Sequence, residues 1–165
     1  MSFLLVRVDD RLLHGQVVLN WVRALRPARI AVVAESLAQD PWARATLMAA
    51  APVGISLWVG GVEEAPQALL HDPRWPPKGT MVLVPDPEEA LRLYSAGVPY
   101  AALNLGCLGM APGRVRLLPQ FSLSPHEMEV LQSLASKGVQ ITAQAVPGLA
   151  AVPWEKLRAK VVPSP

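Results

Sequence analysis

The densest cluster of chemically capable side chains follows the first apolar run of the chain and reads Asp9-Asp10-Arg11-Leu12-Leu13-His14-Gly15-Gln16. A neutral imidazole has an ordinary pKa of about 6.5, so at neutral pH His14 offers a lone pair that can act as a nucleophile. A phosphoryl group received on that ring would carry negative charge, which Arg11 could meet with charge-assisted hydrogen bonds. The segment therefore predicts a histidine nucleophile beside a fixed positive charge.

The residues next to Arg11 and His14 could help to bind the phosphoryl group or to orient the two side chains. Gly15 adds no side chain and allows the chain to turn sharply, and Gln16 begins a predicted helix whose first backbone N–H groups attract anions. We therefore predict both as phosphate-binding positions, with Leu12 and Leu13 as an apolar rim. Asp9 or Asp10 could orient the imidazole or hold Arg11, and the sequence does not choose between them.

Other interpretations of the reactive side chains compete with this one. A histidine near a strand end is often a structural residue, and the Asp-Asp-Arg run could be a capping and salt-bridge cluster. His71, at a predicted helix end, and His126, in a predicted first helical turn, are expected to be surface residues. Cys107 is either a bystander or a thiolate for which only His14 is available as a base.

Short apolar runs alternate with longer amphipathic ones along the chain. The predicted strands cover residues 4–8, 30–34, 54–59, 81–84, 100–105 and 139–145, with another at 115–118. Helices are predicted over residues 16–25, 40–50, 63–70, 86–97, 124–138 and 153–160, three of them opened by an Asp-Pro or Ser-Pro pair. Buried strands joined by helices predict an α/β fold, an open, mostly parallel twisted sheet of about six or seven strands with helices on both faces. Ligands bind at the carboxyl ends of such strands, where the His14 segment lies.

Composition narrows the class of protein. The 165 residues are 52% hydrophobic and 17% charged, which predicts one folded domain over residues 1–165. The formal net charge is only +2 and the basic residues form no stripe, which argues against nucleic acid as a partner. One cysteine excludes an internal disulfide and a multi-cysteine zinc site. The first apolar run is too short for a signal peptide or a membrane span, so we expect a cytoplasmic protein.

Two related classes of α/β protein fit the sequence poorly. A receiver domain phosphorylated on aspartate would need an aspartate after the third strand and a lysine after the fifth, but Val59-Gly60-Gly61 and Asn104 stand there. A nucleotide-binding enzyme would show a glycine-rich phosphate loop after a strand, and neither GxGxxG nor GxxxxGK[ST] follows one here.

The segment from Arg7 to Val17 resembles the active-site segment of IIB components from the mannose/fructose/sorbose family of the bacterial sugar phosphotransferase system (PTS). The resemblance runs nearly end to end and matches the chain length. It includes Asp86-Pro87, Gly97-Val98-Pro99, the asparagine-glycine turn Asn104-Leu105-Gly106 and Gly138-Val139. The family's fold is an open, mostly parallel sheet covered by helices, which agrees with the pattern of predicted elements.

The resemblance implies a protein-N-phosphohistidine–sugar phosphotransferase that needs no cofactor or metal. Its His14 would accept a phosphoryl group from a phosphohistidine of the IIA component and pass it to a sugar held by the IIC/IID membrane permease. Arg11 would steady the phosphate, and Asn104 and Gly106 would support the site together with Asp9 and Asp10. The protein would associate peripherally with the permease, and a homodimer is a candidate assembly by analogy.

The chain also departs from the family pattern. Cys107 and Leu108 stand where a second glycine and a methionine are usual, the loop over residues 109–116 differs, and the strand ending at Gln144 lacks a basic residue often found there. These departures concern partner recognition and sugar class rather than His14 or Arg11. They also leave open an alternative, a regulatory or interaction module of the same fold in a phosphorelay without sugar transport.

Overall fold

In this computed structural model, which describes residues 2–161, nine strands form one large sheet and one hairpin. In chain order they are β1 Leu5–Val8, β2 Arg29–Val33, β3 Ser56–Gly60, β4 Thr80–Val84, β5 Ala102–Leu105, β6 Val115–Leu118, β7 Phe121–Leu123, β8 Gln140–Ala143 and β9 Val152–Pro153. The predicted single domain includes residue 1 and residues 162–165, which lie outside the described residues.

The large sheet has the order β3-β2-β4-β1-β5-β8-β9, and its first six strands are parallel. The open, mostly parallel sheet predicted from the sequence is thus confirmed. β9 runs antiparallel to β8 at one edge and was not predicted. The predicted strand at residues 115–118 exists as β6, but it pairs only with β7 in a separate antiparallel hairpin.

Helices connect the strands. In chain order the helices are α1 Val17–Leu25, α2 Glu35–Ala38, α3 Pro41–Ala49, α4 Gln67–His71, α5 Pro87–Ser95, α6 Pro125–Ser136 and α7 Trp154–Ala159. The Val17–Val22 part of α1 and the whole of α4 are π-helical. No helix within residues 2–161 combines the length and the apolar character needed to span a bilayer.

The predicted helix starts at the three proline pairs are confirmed. The side chains of Asp40, Asp86 and Ser124 accept hydrogen bonds from backbone N–H groups in the first turns of α3, α5 and α6. Ser124 also forms a reciprocal capping box with Glu127. Because each cap satisfies N–H groups that have no partner inside the helix, these local signals fix where the helices begin.

Two apolar clusters lie on the two faces of the sheet. One joins β1, β4 and β5 to α5, α6 and α7, and the other joins β2 and β4 to α1. All five residues of β4 are buried, as expected for a central parallel strand covered on both sides. Leu13 belongs to the second cluster and is only 7% exposed, so the prediction that it forms part of an apolar rim is wrong.

Candidate active site

The His14 segment leaves the carboxyl end of β1 and turns back over it. The backbone N–H of Asp9 still bonds to the carbonyl of Val84 in β4, and the N–H of Leu12 closes a turn onto the carbonyl of Asp9. Leu12 has a φ of 54°, a left-handed conformation that is costly for a branched residue. Gly15 does not have a left-handed φ. The sharp turn expected at Gly15 is therefore made at Leu12 instead.

Asp9 lies at the centre of the site and is fully buried. Its Oδ1 atom is 3.2 Å from Nε2 of His14 and accepts the backbone N–H of Arg11 at 3.2 Å. Its Oδ2 atom accepts a hydrogen bond from Nη2 of Arg7 at 3.2 Å. Of the two acids that the sequence left open, Asp9 is the one that contacts the imidazole.

His14 is held at both ring nitrogens. Its Nδ1 atom accepts the backbone N–H of Gln16 at 3.2 Å, and therefore needs a lone pair. The ring proton is accordingly assigned to Nε2, from which it is donated to the carboxylate of Asp9. Burial lowers the pKa of His14 below its ordinary value, although Asp9 partly opposes the shift, and this favours the neutral imidazole.

Asp10 has a different role from Asp9. Its carboxylate accepts the backbone N–H of Gly109 at 2.8 Å, and its own N–H donates to the carbonyl of Cys107 at 2.9 Å. Asp10 thus ties the His14 segment to the loop after β5.

Arg7 is a site residue that the sequence reasoning missed. Although charged, it is 1% exposed, and it donates hydrogen bonds to Asn104 Oδ1, to Asp9 and to the carbonyls of Gln144 and Ala145. A signal was available, because alternate residues of a strand face the same side of a sheet. Arg7 and Asp9 are two positions apart, and Arg7 lies in register with Asn104 in the neighbouring strand.

Two further residues enclose the Arg7 guanidinium. The ring of Trp21 lies 4.7 Å from its Cζ atom, close enough for a cation–π contact, and donates its own N–H to the carbonyl of Ala145 at 3.1 Å. A methyl group at Gly106 would overlap the guanidinium, so only glycine fits there. Asn104 and Gly106, predicted as supporting residues, therefore both contact Arg7 rather than the imidazole.

Arg11 is less firmly held than Arg7. Its side chain is 50% exposed, its Nε atom is 3.8 Å from Oδ1 of Asp9, and its Nη2 atom donates to the sulfur of Cys107 at 3.1 Å. The guanidinium thus lies beside the imidazole, over the carboxylate that both groups share.

These groups surround a cleft of about 260 Å³ at the carboxyl end of the sheet. Four predicted site residues line it, and so do residues not predicted there; the full set is Arg7, Asp9, Arg11, His14, Gln16, Val17, Asn20, Trp21, Cys107, Ala145 and Val146. Asp10, Gly15, Asn104 and Gly106 do not line the cleft. Neither do His71, at the end of α4, and His126, whose exposed ring lies 3.0 Å from Glu88. Within residues 2–161, no group of three or more His, Cys, Asp or Glu side chains is placed to hold a metal ion.

Comparison with known proteins shows the family to which the chain belongs. The family model of the PTS system sorbose subfamily IIB component matches residues 3–162. The chain belongs to this family of IIB components. PTS IIB components of this kind take part in phosphoryl transfer during sugar uptake.

Individual relatives of this IIB component cover most of the chain. It is 32% identical to the sorbose-specific EIIB component of Klebsiella pneumoniae over 88% of each chain. The crystal structure of the IIBSor domain of the Klebsiella pneumoniae sorbose permease superposes with a TM-score of 0.87 at 29% identity, covering 98% of this chain and 99% of that one. The mannose-specific EIIAB component of Escherichia coli is 28% identical over 86% of this chain and 44% of that protein.

Proposed function

We propose that this IIB component is a phosphoryl carrier that accepts a phosphoryl group on Nδ1 of His14 from a phosphohistidine of a IIA component. It passes the group to a sugar bound by a IIC/IID permease at the cytoplasmic side of the membrane. The observation that supports this most directly is the state of the His14 ring. Asp9 holds Nε2, while within residues 2–161 the lone pair of Nδ1 accepts only the backbone N–H of Gln16, and His14, Gln16 and Arg11 all line the same cleft.

Acceptance of the phosphoryl group forms one bond and breaks another. The lone pair of Nδ1 bonds to phosphorus while the P–N bond of the donor breaks, and the electron pair of that bond returns to the donor nitrogen. Positive charge develops on the His14 ring, and the carboxylate of Asp9 stabilises it through the Nε2–H hydrogen bond. Asp9 is therefore proposed to fix the tautomer and to favour the phosphorylated ring.

The negative charge of the phosphoryl oxygens is stabilised by two groups, the backbone N–H of Gln16 and the guanidinium of Arg11. The N–H of Gln16, which bonds to Nδ1 before transfer, becomes available once Nδ1 bonds to phosphorus, and the phosphoryl oxygens then lie close to it. Arg11 lines the same cleft with a half-exposed guanidinium and can supply charge-assisted hydrogen bonds. Phosphoryl transfer depends mainly on positioning and electrostatics, which these groups provide.

Onward transfer reverses the same bond. A sugar hydroxyl attacks phosphorus, the Nδ1–P bond breaks, and its electron pair returns to the imidazole. The cleft is open to solvent at its mouth, and the His14 side chain is 17% exposed. A carrier that meets two partners in turn requires such access to its phosphorylated residue.

The acceptance step is tested by incubating the protein with a phosphorylated IIA protein of this family and measuring acid-labile phosphate on the chain. Wild type and His126→Ala, whose ring is exposed and lies outside the cleft, should be labelled alike. His14→Ala should take up none. Acid-labile phosphate on His14→Ala at the wild-type level would overturn the assignment.

Transfer to sugar needs a second measurement, because a regulatory module would also accept the phosphoryl group. Phosphorylated protein is mixed with membrane vesicles that contain a IIC/IID permease of this family and a panel of hexoses. Sugar phosphate should appear as the phosphohistidine is lost. A phosphohistidine that persists with every sugar would favour the regulatory alternative.

A further inference from the structure

The Arg11 guanidinium has one hydrogen-bonded side-chain contact in the described part of the chain, and that contact is Cys107. Nη2 donates to Sγ at 3.1 Å, whereas the nearest carboxylate atom, Oδ1 of Asp9, is 3.8 Å from Nε. The arginine side chain is half exposed, so solvent would otherwise let it rotate. Among residues 2–161, the thiol of Cys107 is thus the side-chain group that accepts a hydrogen bond from the Arg11 guanidinium.

Cys107 can do this because its own position is fixed. Its carbonyl accepts the N–H of Asp10 at 2.9 Å, and the neighbouring Gly106 packs against the buried guanidinium of Arg7. The next residue, Leu108, is 1% exposed and bonds through its N–H to the carbonyl of Gln120. The sulfur is thus carried on a backbone that is anchored on both sides.

We propose that Cys107 is a positioning residue for phosphoryl acceptance, in which its neutral thiol holds Nη2 of Arg11 and keeps the remaining guanidinium N–H groups directed to the cleft beside His14. This rests on the proposed function. Arg11 and Cys107 both line the cleft with His14, so the hydrogen bond is made at the place where the phosphoryl group arrives. A thiol is a weak acceptor, and it can orient the guanidinium without neutralising its charge.

A thiolate at Cys107 would hinder phosphoryl acceptance, whereas the neutral thiol supports it. Arg7, Asp9, Arg11 and His14 are the charged and titratable groups that face Cys107 across the cleft. Burial raises the pKa of Cys107, the charge of Asp9 raises it further, and Arg11 lowers it, with a net shift above the ordinary value. The thiol is therefore neutral at pH 7. At alkaline pH a thiolate would pair with Arg11 and place negative charge where the phosphoryl group must bind.

The test compares wild type with Cys107→Ala and Cys107→Ser, using potassium phosphoramidate as a small-molecule P–N donor that releases ammonia as His14 is phosphorylated. Cys107→Ala should accept phosphate about three- to tenfold more slowly than wild type, the effect of losing one orienting hydrogen bond. Cys107→Ser keeps an acceptor and should stay within about twofold. Thermal unfolding midpoints establish that all three proteins are folded.

A pH profile separates positioning from a general effect on structure. As the pH rises from neutral into the alkaline range in which the thiol of Cys107 ionises, the wild-type rate should fall relative to that of Cys107→Ser, whose hydroxyl does not ionise there. A Cys107→Ala protein as fast as wild type, or parallel profiles for wild type and the serine variant, would overturn the positioning role while leaving phosphorylation of His14 intact. If wild type gains no acid-labile phosphate that His14→Ala lacks, the proposed function fails as well.

Discussion

Nη2 of Arg7 lies 3.2 Å from Oδ2 of Asp9, and both side chains are closed off from solvent. The pair stands directly behind the His14 ring, because the other oxygen of the same carboxylate faces Nε2. A buried ion pair gains from further hydrogen bonds to its polar groups, and here Asn104 and two backbone carbonyls accept from the two Nη atoms of Arg7. The Nε atom of Arg7 has no hydrogen-bond partner among residues 2–161. The bonds of the Nη atoms hold the charge of Asp9 in place for the imidazole.

Replacing Arg7 with methionine should be strongly destabilising. The change leaves the Asp9 carboxylate buried without its partner, and breaking such a pair typically costs about 3–5 kcal/mol. The measurement is urea unfolding, with exposed Arg23→Met as the control that should stay within about 0.5 kcal/mol of wild type. The double variant Arg7→Met/Asp9→Asn should recover part of the loss. A single variant as stable as the control would contradict the role assigned to the ion pair.

Asp9→Asn should sharply reduce phosphoryl acceptance by the protein that remains folded, and it should also lower stability because the Arg7 guanidinium stays buried without its carboxylate. An amide cannot supply the negative charge that stabilises the phosphorylated ring, and its NH₂ group can favour the wrong imidazole tautomer. Comparable carboxylate-to-amide changes beside a catalytic histidine lower rates by up to about 10⁴-fold, and we expect at least about 100-fold here. Single-turnover kinetics with phosphorylated IIA would measure this. Asp10→Asn is the matched comparison and should lose much less, because Asp10 bonds to Gly109 and not to the ring.

The pH dependence of acceptance should follow the ionisation of His14. Burial lowers its pKa, Asp9 raises it and Arg11 lowers it, so the midpoint should lie below about 6.5 in the folded protein. Acceptance should therefore be constant around neutral pH and fall on the acid side of that value. An NMR titration of the imidazole should show a lower midpoint in Asp9→Asn and a higher one in Arg11→Ala. Shifts in the reverse directions would contradict the arrangement of charges.

The same shift makes a small contribution to stability with a definite sign. A histidine with a lowered folded-state pKa binds a proton more readily in the unfolded chain. The free energy of unfolding should therefore lose this contribution as the pH falls from about 6.5 through the folded-state pKa. His14→Gln, which cannot titrate, should lack that component of the pH dependence.

Local patterns made much of this fold predictable from sequence. The caps at Asp40, Asp86 and Ser124 act within one helical turn, and each placed a helix start correctly. Buried strands without alternation predicted the parallel sheet, and the residue types near His14 indicated where chemistry could occur. These features need no knowledge of how distant segments meet.

The features of the site that the sequence did not predict depend on contacts between segments that are far apart in the chain. Arg7 bonds to residues 97 to 138 positions away, and Trp21 reaches a carbonyl 124 positions away. The last strand was predicted to extend to residue 145, but β8 ends at Ala143, so the carbonyls of Gln144 and Ala145 turn towards Arg7. Strand register brings these groups together, and register is set by the packing of the whole sheet rather than by local sequence.

Gly106→Ala should disturb the site through Arg7, whereas Gly15→Ala should not. A methyl group at position 106 would overlap the guanidinium, which fixed acceptors and Trp21 surround, so we expect a loss of about 1–3 kcal/mol from overpacking. At Gly15 no atom lies within 4 Å of an added methyl group, and the backbone is not left-handed. Urea unfolding of both variants would measure the difference. Gly15 is helical and lies just before α1. Because alanine is the better helix former by about 0.5–1 kcal/mol, Gly15→Ala should be at least as stable as wild type. Equal losses in the two variants would mean that the close approach of Gly106 to Arg7 does not determine the packing beneath Asp9.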